Sequence, residues 1–189
     1  LPGLDEDVDL RLHPKLVGAK QGFAENYAIS GWGPGATDYV LMNYNGAPQD
    51  PFDVGALNQN ASGLYLMEAV GSTYLGGNPD GVFGPYTLGA YSLLDLYEIR
   101  LLAGHEYVVL LENLAGDVDW GITLHHGSLR YQSKSDAYED AAAWFAPPGA
   151  NETLRVSPAT NSSFCLAVWK VGTLDAEKVG SYQLHIYKG

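Results

Sequence analysis

The densest pattern in the chain runs from Leu94 to His125, where three strand-like runs follow one another across short turns. In YEIRL, Tyr97, Ile99 and Leu101 alternate with Glu98 and Arg100, the period of two that gives a strand one dry and one wet face. Ala103-Gly104 supplies a turn. HEYVVLLENL is a nearly continuous apolar run, which predicts a central strand covered on both faces. After Ala115-Gly116-Asp117, Val118, Trp120, Ile122 and Leu124 fall on one face of VDWGITLH. Upstream, DYVLMNY (38–44), PFDVGAL (51–57) and GLYLMEAV (63–70) read as further strands, and YTLGAYSLL (86–94) leads into the dense stretch. The stretch Gly76–Gly84, GGNPDGVFG, carries turn chemistry.

Residues 1–18 differ from all of this. Val8, Leu10 and Leu12 alternate with Asp7, Asp9, Arg11 and His13, and Pro14 closes the run, so an extended arm is expected ahead of a β-sandwich over 19–189. Burying those three side chains contributes roughly 1.5 to 3 kcal/mol each, while fixing about six residues of backbone costs roughly 1 to 2 kcal/mol each. The terms nearly cancel. An arm alone would fray, and Val8, Leu10 and Leu12 are therefore the candidate assembly strand, added to the sheet edge of a neighbouring subunit. With no Ser/Pro-rich linker anywhere, one enlarged sandwich is preferred to two small ones.

The order strand, L-x-A-G, strand, G-D-x-D-W, strand resembles the bacterial pre-peptidase C-terminal domain, a β-sandwich module found beside exported peptidases. ETLRVSP, FCLAVWKV and GSYQLHIYK match its later strands, so the resemblance covers residues 93–188. It implies an all-β fold, an antiparallel, jelly-roll-like β-sandwich, and an extracellular setting, but no activity. It also implies a strand after a loop at 135–145, where the residues themselves, SDAYEDAAAWF, allow a short capped helix.

Composition agrees with many short strands and turns: 13 Tyr and 23 Gly stand against ten Lys plus Arg. The net charge of −12 opposes binding to nucleic acid or anionic membranes, and no apolar run approaches a membrane span. Leu1 reads as a processed end, with a signal already removed, and the expected location is extracellular or the cell surface. Sequons at Asn60, Asn151 and Asn161 are candidate glycosylation sites. The single Cys165 excludes an intrachain disulfide and reads as a small apolar residue.

No catalytic signature appears: no G-x-S-x-G, no H-E-x-x-H, no phosphate loop and no Cys pair for zinc. His125 and His126, adjacent on a strand, point to opposite faces and do not form a ligand pair. Carboxylates crowd three turns, and Asp117, Asp119, Asp136 and Asp140 are the candidate ligands of a structural Ca²⁺, which some members of the resembling family bind; no other cofactor is expected. Trp32, Tyr86, Tyr91, Tyr131 and Trp144 are placed to stack on sugar rings. The sequence thus reads as a non-enzymatic extracellular structural subunit, a homopolymer that forms a surface filament or layer by strand addition. The alternative is an accessory carbohydrate- or matrix-binding module of an exported enzyme, with glycans as partners.

Overall fold

A computed structural model of the chain describes residues 8–14, 28–31, 36–42, 52–58, 68–127, 129, 131–138, 141–172 and 175–189, and its extended elements are all β-strands, with 3₁₀ turns at Tyr138 and Asp175. The chain divides into two compact units, Leu1–Tyr65 with Ser128–Asp136, and Leu66–Gly127 with Ala137–Gly189. The boundaries read from the sequence, after residue 18 and at residue 93, fall inside these units.

In the first unit, β1 (Val8–Pro14) is the middle strand of three, antiparallel to β2 (Ala28–Ser30) and to β4 (Phe52–Asn58). Its registers are Leu10↔Ser30 on one side and Val8↔Asn58 through Pro14↔Phe52 on the other. Both edges of the expected arm are therefore engaged by its own chain. A separate ladder joins β3 (Val40–Met42) to β10 (Tyr131–Ser133).

The second unit is a two-sheet sandwich. One sheet has the order β11 (Ala142–Ala143), β9 (Trp120–His126), β13 (Ser162–Lys170), β7 (Leu94–Leu101), β5 (Ser72–Gly77). The other runs β12 (Glu152–Val156), β8 (Tyr107–Ala115), β14 (Gly180–Lys188), β6 (Gly81–Leu88). Ile99, Ile122, Leu166 and Val168 from the first meet Val109, Leu111, Leu154, Val156, Leu184 and Ile186 from the second, and all are buried. Trp120 belongs to this core, while Trp169, also buried, lies outside it. Burial of ten such side chains at roughly 1.5 to 3 kcal/mol each is what opposes the chain's conformational entropy.

Successive strands β7, β8 and β9 change sheet at every turn, so the short Gly-bearing turns are crossovers between sheets rather than hairpins within one. Gly104 at φ +80° and Gly116 at φ +96° take the left-handed conformation those turns need. The turn expected over 76–84 is narrower: β5 runs to Gly77, β6 starts at Gly81, and Asn78 reverses the chain at φ 58°. Because β6 joins the opposite sheet and β7 returns, β7 runs in the same direction as β5, and that one ladder is parallel in an otherwise antiparallel fold. The resembling stretch 93–188 holds β7 to β14, while β5 and β6, ahead of it, supply the outer strand of each sheet.

Two other expectations differ, over β8 and over GLYLMEAV. β8 is central but alternates buried and half-buried, since Val108 and Leu110 face outward beside Tyr187 and His185 of β14. The strands covered on both faces are β9 and the second half of β13. Over 135–145 the described residues form the short strand β11 after a loop, as the resemblance implies and in place of the short capped helix. In GLYLMEAV the described residues 68–70 are not strand, and the remainder lies outside the described residues.

Candidate functional site

The chain after β8, at the start of β9 and before β12 comes together around one side chain. Asn113 donates from Nδ2 to the carbonyls of Gly116 (3.0 Å) and Gly149 (2.8 Å), and its Oδ1 accepts from Trp120 Nε1 at 3.0 Å. Its backbone N–H donates to Asn151 Oδ1 at 2.8 Å. Gly149 N–H donates to Val118 O, Ala150 N–H to Pro147 O and Ala146 N–H to Glu152 Oε1. The loop WFAPPGAN is thereby pinned along its length.

On that loop Phe145 is 81% exposed, the most exposed of the large hydrophobic side chains described. Its ring lies 5.0 Å from Trp144, whose ring lies 5.9 Å from the fully buried Trp169. A bare aromatic is thus mounted on an indole that is itself backed by the fold. Gly121 makes room for this stack, because a Cβ there would come within 2.5 Å of the Trp169 ring.

Beside the loop lies a charged turn. Lys178 Nζ sits 2.7 Å from Asp175 Oδ1 and 3.3 Å from Asp117 Oδ2, and it also donates to Asp117 O at 3.1 Å. The hydrogen bond to Asp175 is the main reason its pKa is raised. The ammonium thus occupies the space between two carboxylates that a cation would take. Asp175 Oδ2 accepts from the Asp119 N–H at 3.2 Å. Asp119 has a buried Oδ1 with no hydrogen-bond partner, and burial, then Asp175, raises its pKa. Glu152, buried beneath the loop, is also raised, by burial first.

Of the expected Ca²⁺ ligands, Asp117 and Asp119 share this turn. Asp136 belongs to the first unit, where its carboxylate accepts from Ser133 N and Oγ, and Asp140 lies outside the described residues. Among the described residues no group of three or more His, Cys, Asp or Glu is placed to hold a metal. Asn151 and Asn161 are exposed, and each uses Oδ1 to accept a backbone N–H, from Asn113 and from Ala103; Asn60 lies outside the described residues. In the assembly strand, Leu10 is half-buried, and the side chains of Val8 and Leu12 are outside the description.

The expected stacking aromatics disperse. Tyr86 packs against Tyr97 and Tyr182 at the core edge, Tyr131 is half-buried in the first unit, and Tyr91 reaches Glu177 at 3.4 Å; Trp32 is outside the described residues. Trp144 alone is part of an exposed aromatic pair. Sequence reasoning passed over Phe145, Asn113, Asp175 and Lys178; the one local signal was the Pro-Pro-Gly after Trp-Phe, which marks a stiff loop. His125 and His126 do face opposite ways: His125 is buried against Thr123 Oγ1, and His126 stacks on Phe164. Burial, then Glu98, pushes the Cys165 thiol up to about 12, so it is not a thiolate near neutral pH.

No protein-family profile matches the chain, and no curated protein sequence matches it. Among solved structures it is similar to the pre-peptidase C-terminal domain of a collagenase from Bacillus anthracis, at 15% identity and TM-score 0.47, over 64% of this chain and 98% of that one. It is similar also to PliG, a periplasmic inhibitor of g-type lysozyme from Aeromonas hydrophila (9%, TM-score 0.45, 62% and 96%). A third is CorA, a surface-associated copper-binding protein of Methylomicrobium album BG8 (11%, TM-score 0.42, 64% and 99%). No helix among the described residues is long and apolar enough to cross a membrane.

Proposed function

We propose that this chain is a non-enzymatic β-sandwich module of an exported protein, and that it binds carbohydrate through the Trp144–Phe145 ledge. The observation that carries the reading is Phe145, 81% exposed on a loop fixed by backbone and Asn113 hydrogen bonds. An apolar ring held in place gives up little freedom on binding, so most of the area it buries against the C–H face of a sugar ring counts toward affinity. The carboxylates beside it favour neutral or cationic glycans, and together with the charge of −12 they oppose phosphate-rich partners. Against general acid–base work, Asp175 and Asp117 are tied to Lys178, and Glu152 is buried on the Ala146 N–H.

The filament or layer subunit built by donating the first strand has less support. β1 is flanked by β2 and β4 of its own chain, and donation would require it to leave both. Co-sedimentation with insoluble cellulose, chitin and peptidoglycan tests the binding reading. Wild type is expected in the pellet with at least one of them and Phe145→Ala in the supernatant. Wild type that stays soluble with all three, or retention unchanged by Phe145→Ala, removes the ledge as a binding site.

A further inference from the structure

The two sheets of the sandwich have four outer strands, and three of them are guarded against further strand addition. β6 carries Pro85, which has no N–H to offer, and its register with β14 breaks between Tyr182 and Leu184. β12 is five residues long and carries Glu152 and Arg155, and β11 is two residues long. Prolines, charges, irregularities and shortness are the usual means of blunting an edge. β5 has only one of them, a shift in its ladder between Tyr74 and Gly76.

Its composition is otherwise open. From Val70 to Asn78 there is no charged residue, in a chain of net charge −12. Ser72, Thr73 and Tyr74 are exposed, Tyr74 at 61%, and a Cβ added at Gly71 or Gly76 would meet nothing within 4 Å. β5 pairs with β7 on one side, and no strand among the described residues lies on the other. The N–H and C=O groups along such an edge are a template for another strand.

The occupant follows from charge. Two copies of so acidic a chain repel one another over most of their surfaces, and the neutral edge is where they can approach without setting like charges together. A neutral edge is also complementary to itself, because an antiparallel ladder about a two-fold axis lets the same residues serve both partners. We propose that β5 pairs antiparallel with β5 of a second copy, continuing the five-stranded sheet across a two-fold dimer. The interface is independent of the Trp144–Phe145 ledge, and each can fail without the other.

Light scattering on the full chain over a dilution series tests it. The mass is expected to rise to twice that of one chain with concentration, and to do so more readily at high salt, where the repulsion is screened. Thr73→Lys with Tyr74→Lys should hold the protein at the mass of one chain, whereas Phe145→Ala should leave the dimer unchanged. Because the Cys165 thiol is held protonated, a cysteine placed in β5 is the reactive one. Tyr74→Cys should give a disulfide-linked dimer under mild oxidation at several times the rate of Val179→Cys, an equally exposed control. A single-chain mass at every concentration, a dimer indifferent to the lysines, or equal cross-linking of the two cysteines overturns the proposal.

Discussion

The hydroxyls of Tyr97 and Tyr182 lie 2.6 Å apart, one from each sheet of the sandwich. Tyr182 gives its proton to Asp95 Oδ2 at 2.6 Å, so Tyr97 must be the donor to Tyr182. Burial is the first cause of the raised phenol pKa values of both residues. Tyr182→Phe strands a donor and a carboxylate together and should cost about 3 kcal/mol, whereas Tyr97→Phe removes one donor and should cost about 1 kcal/mol. Urea denaturation of the two variants checks the ranking.

Asp95 in the same chain of bonds has its pKa raised, by burial first, while the bond from Tyr182 works against the rise. The folded state therefore holds this proton where the unfolded chain has lost it, and the stability it contributes is present below the ordinary aspartate range and lost as pH rises through the folded value. Asp95→Asn keeps an acceptor and removes the charge. Its stability relative to wild type should rise as pH increases from about 3 to about 7, and a flat or falling difference would show that the carboxylate is not a cost.

Val168 of β13 is fully buried between the sheets and Gly121 of β9 lies against the Trp169 ring, so the two faces of this region can be tested apart. Val168→Asp buries an unpaired charge and should leave no cooperatively folded protein. Gly121→Ala forces the indole to shift or the strands to part and should cost about 1 to 3 kcal/mol by overpacking. A cooperative melt of Val168→Asp, or an unchanged midpoint for Gly121→Ala, would contradict the register of β9 and β13.

Much of the sandwich was legible because burial writes its period into each strand. Leu154 and Val156, Leu166 and Val168, and Leu184 and Ile186 fall on the inner face as their alternation requires, and Trp120 and Trp169 are both buried. What alternation does not encode is which sheet a strand joins. Asn78 marks a turn in either case, yet only the closed fold shows β5 and β6 parting there into opposite sheets, which makes the β5–β7 ladder parallel. Val108 and Leu110 made β8 look covered on both faces, but an apolar residue on an outer sheet face is half-buried by its cross-strand neighbours alone. The site was less legible still. Asn113 joins Gly116, Trp120, Gly149 and Asn151 through contacts that no short window contains, and Phe145 owes its exposure to a loop held from elsewhere.

The first unit offers a test that reads charge rather than packing. Lys134 is 2% exposed, its Nζ donates to Thr37 O at 2.7 Å, and burial lowers its pKa from 10.5 to about 8, against a smaller upward pull from Asp38. Between those two values the unfolded chain keeps a proton that the folded chain has given up. Stability contributed by this group must therefore rise with pH across the window, and below about pH 8 its full cost is present. At roughly 1.4 kcal/mol per unit, that cost is about 3 kcal/mol, of which about 2 kcal/mol should be recovered by about pH 9.5. Lys134→Met removes the titration, so the difference between wild type and variant isolates it from the groups the two proteins share. Urea denaturation at about pH 7 and about pH 9.5 should show the gap between them move in favour of wild type. A gap that stays constant would mean that Lys134 keeps its proton in the folded chain, held by a carboxylate strongly enough to cancel its burial.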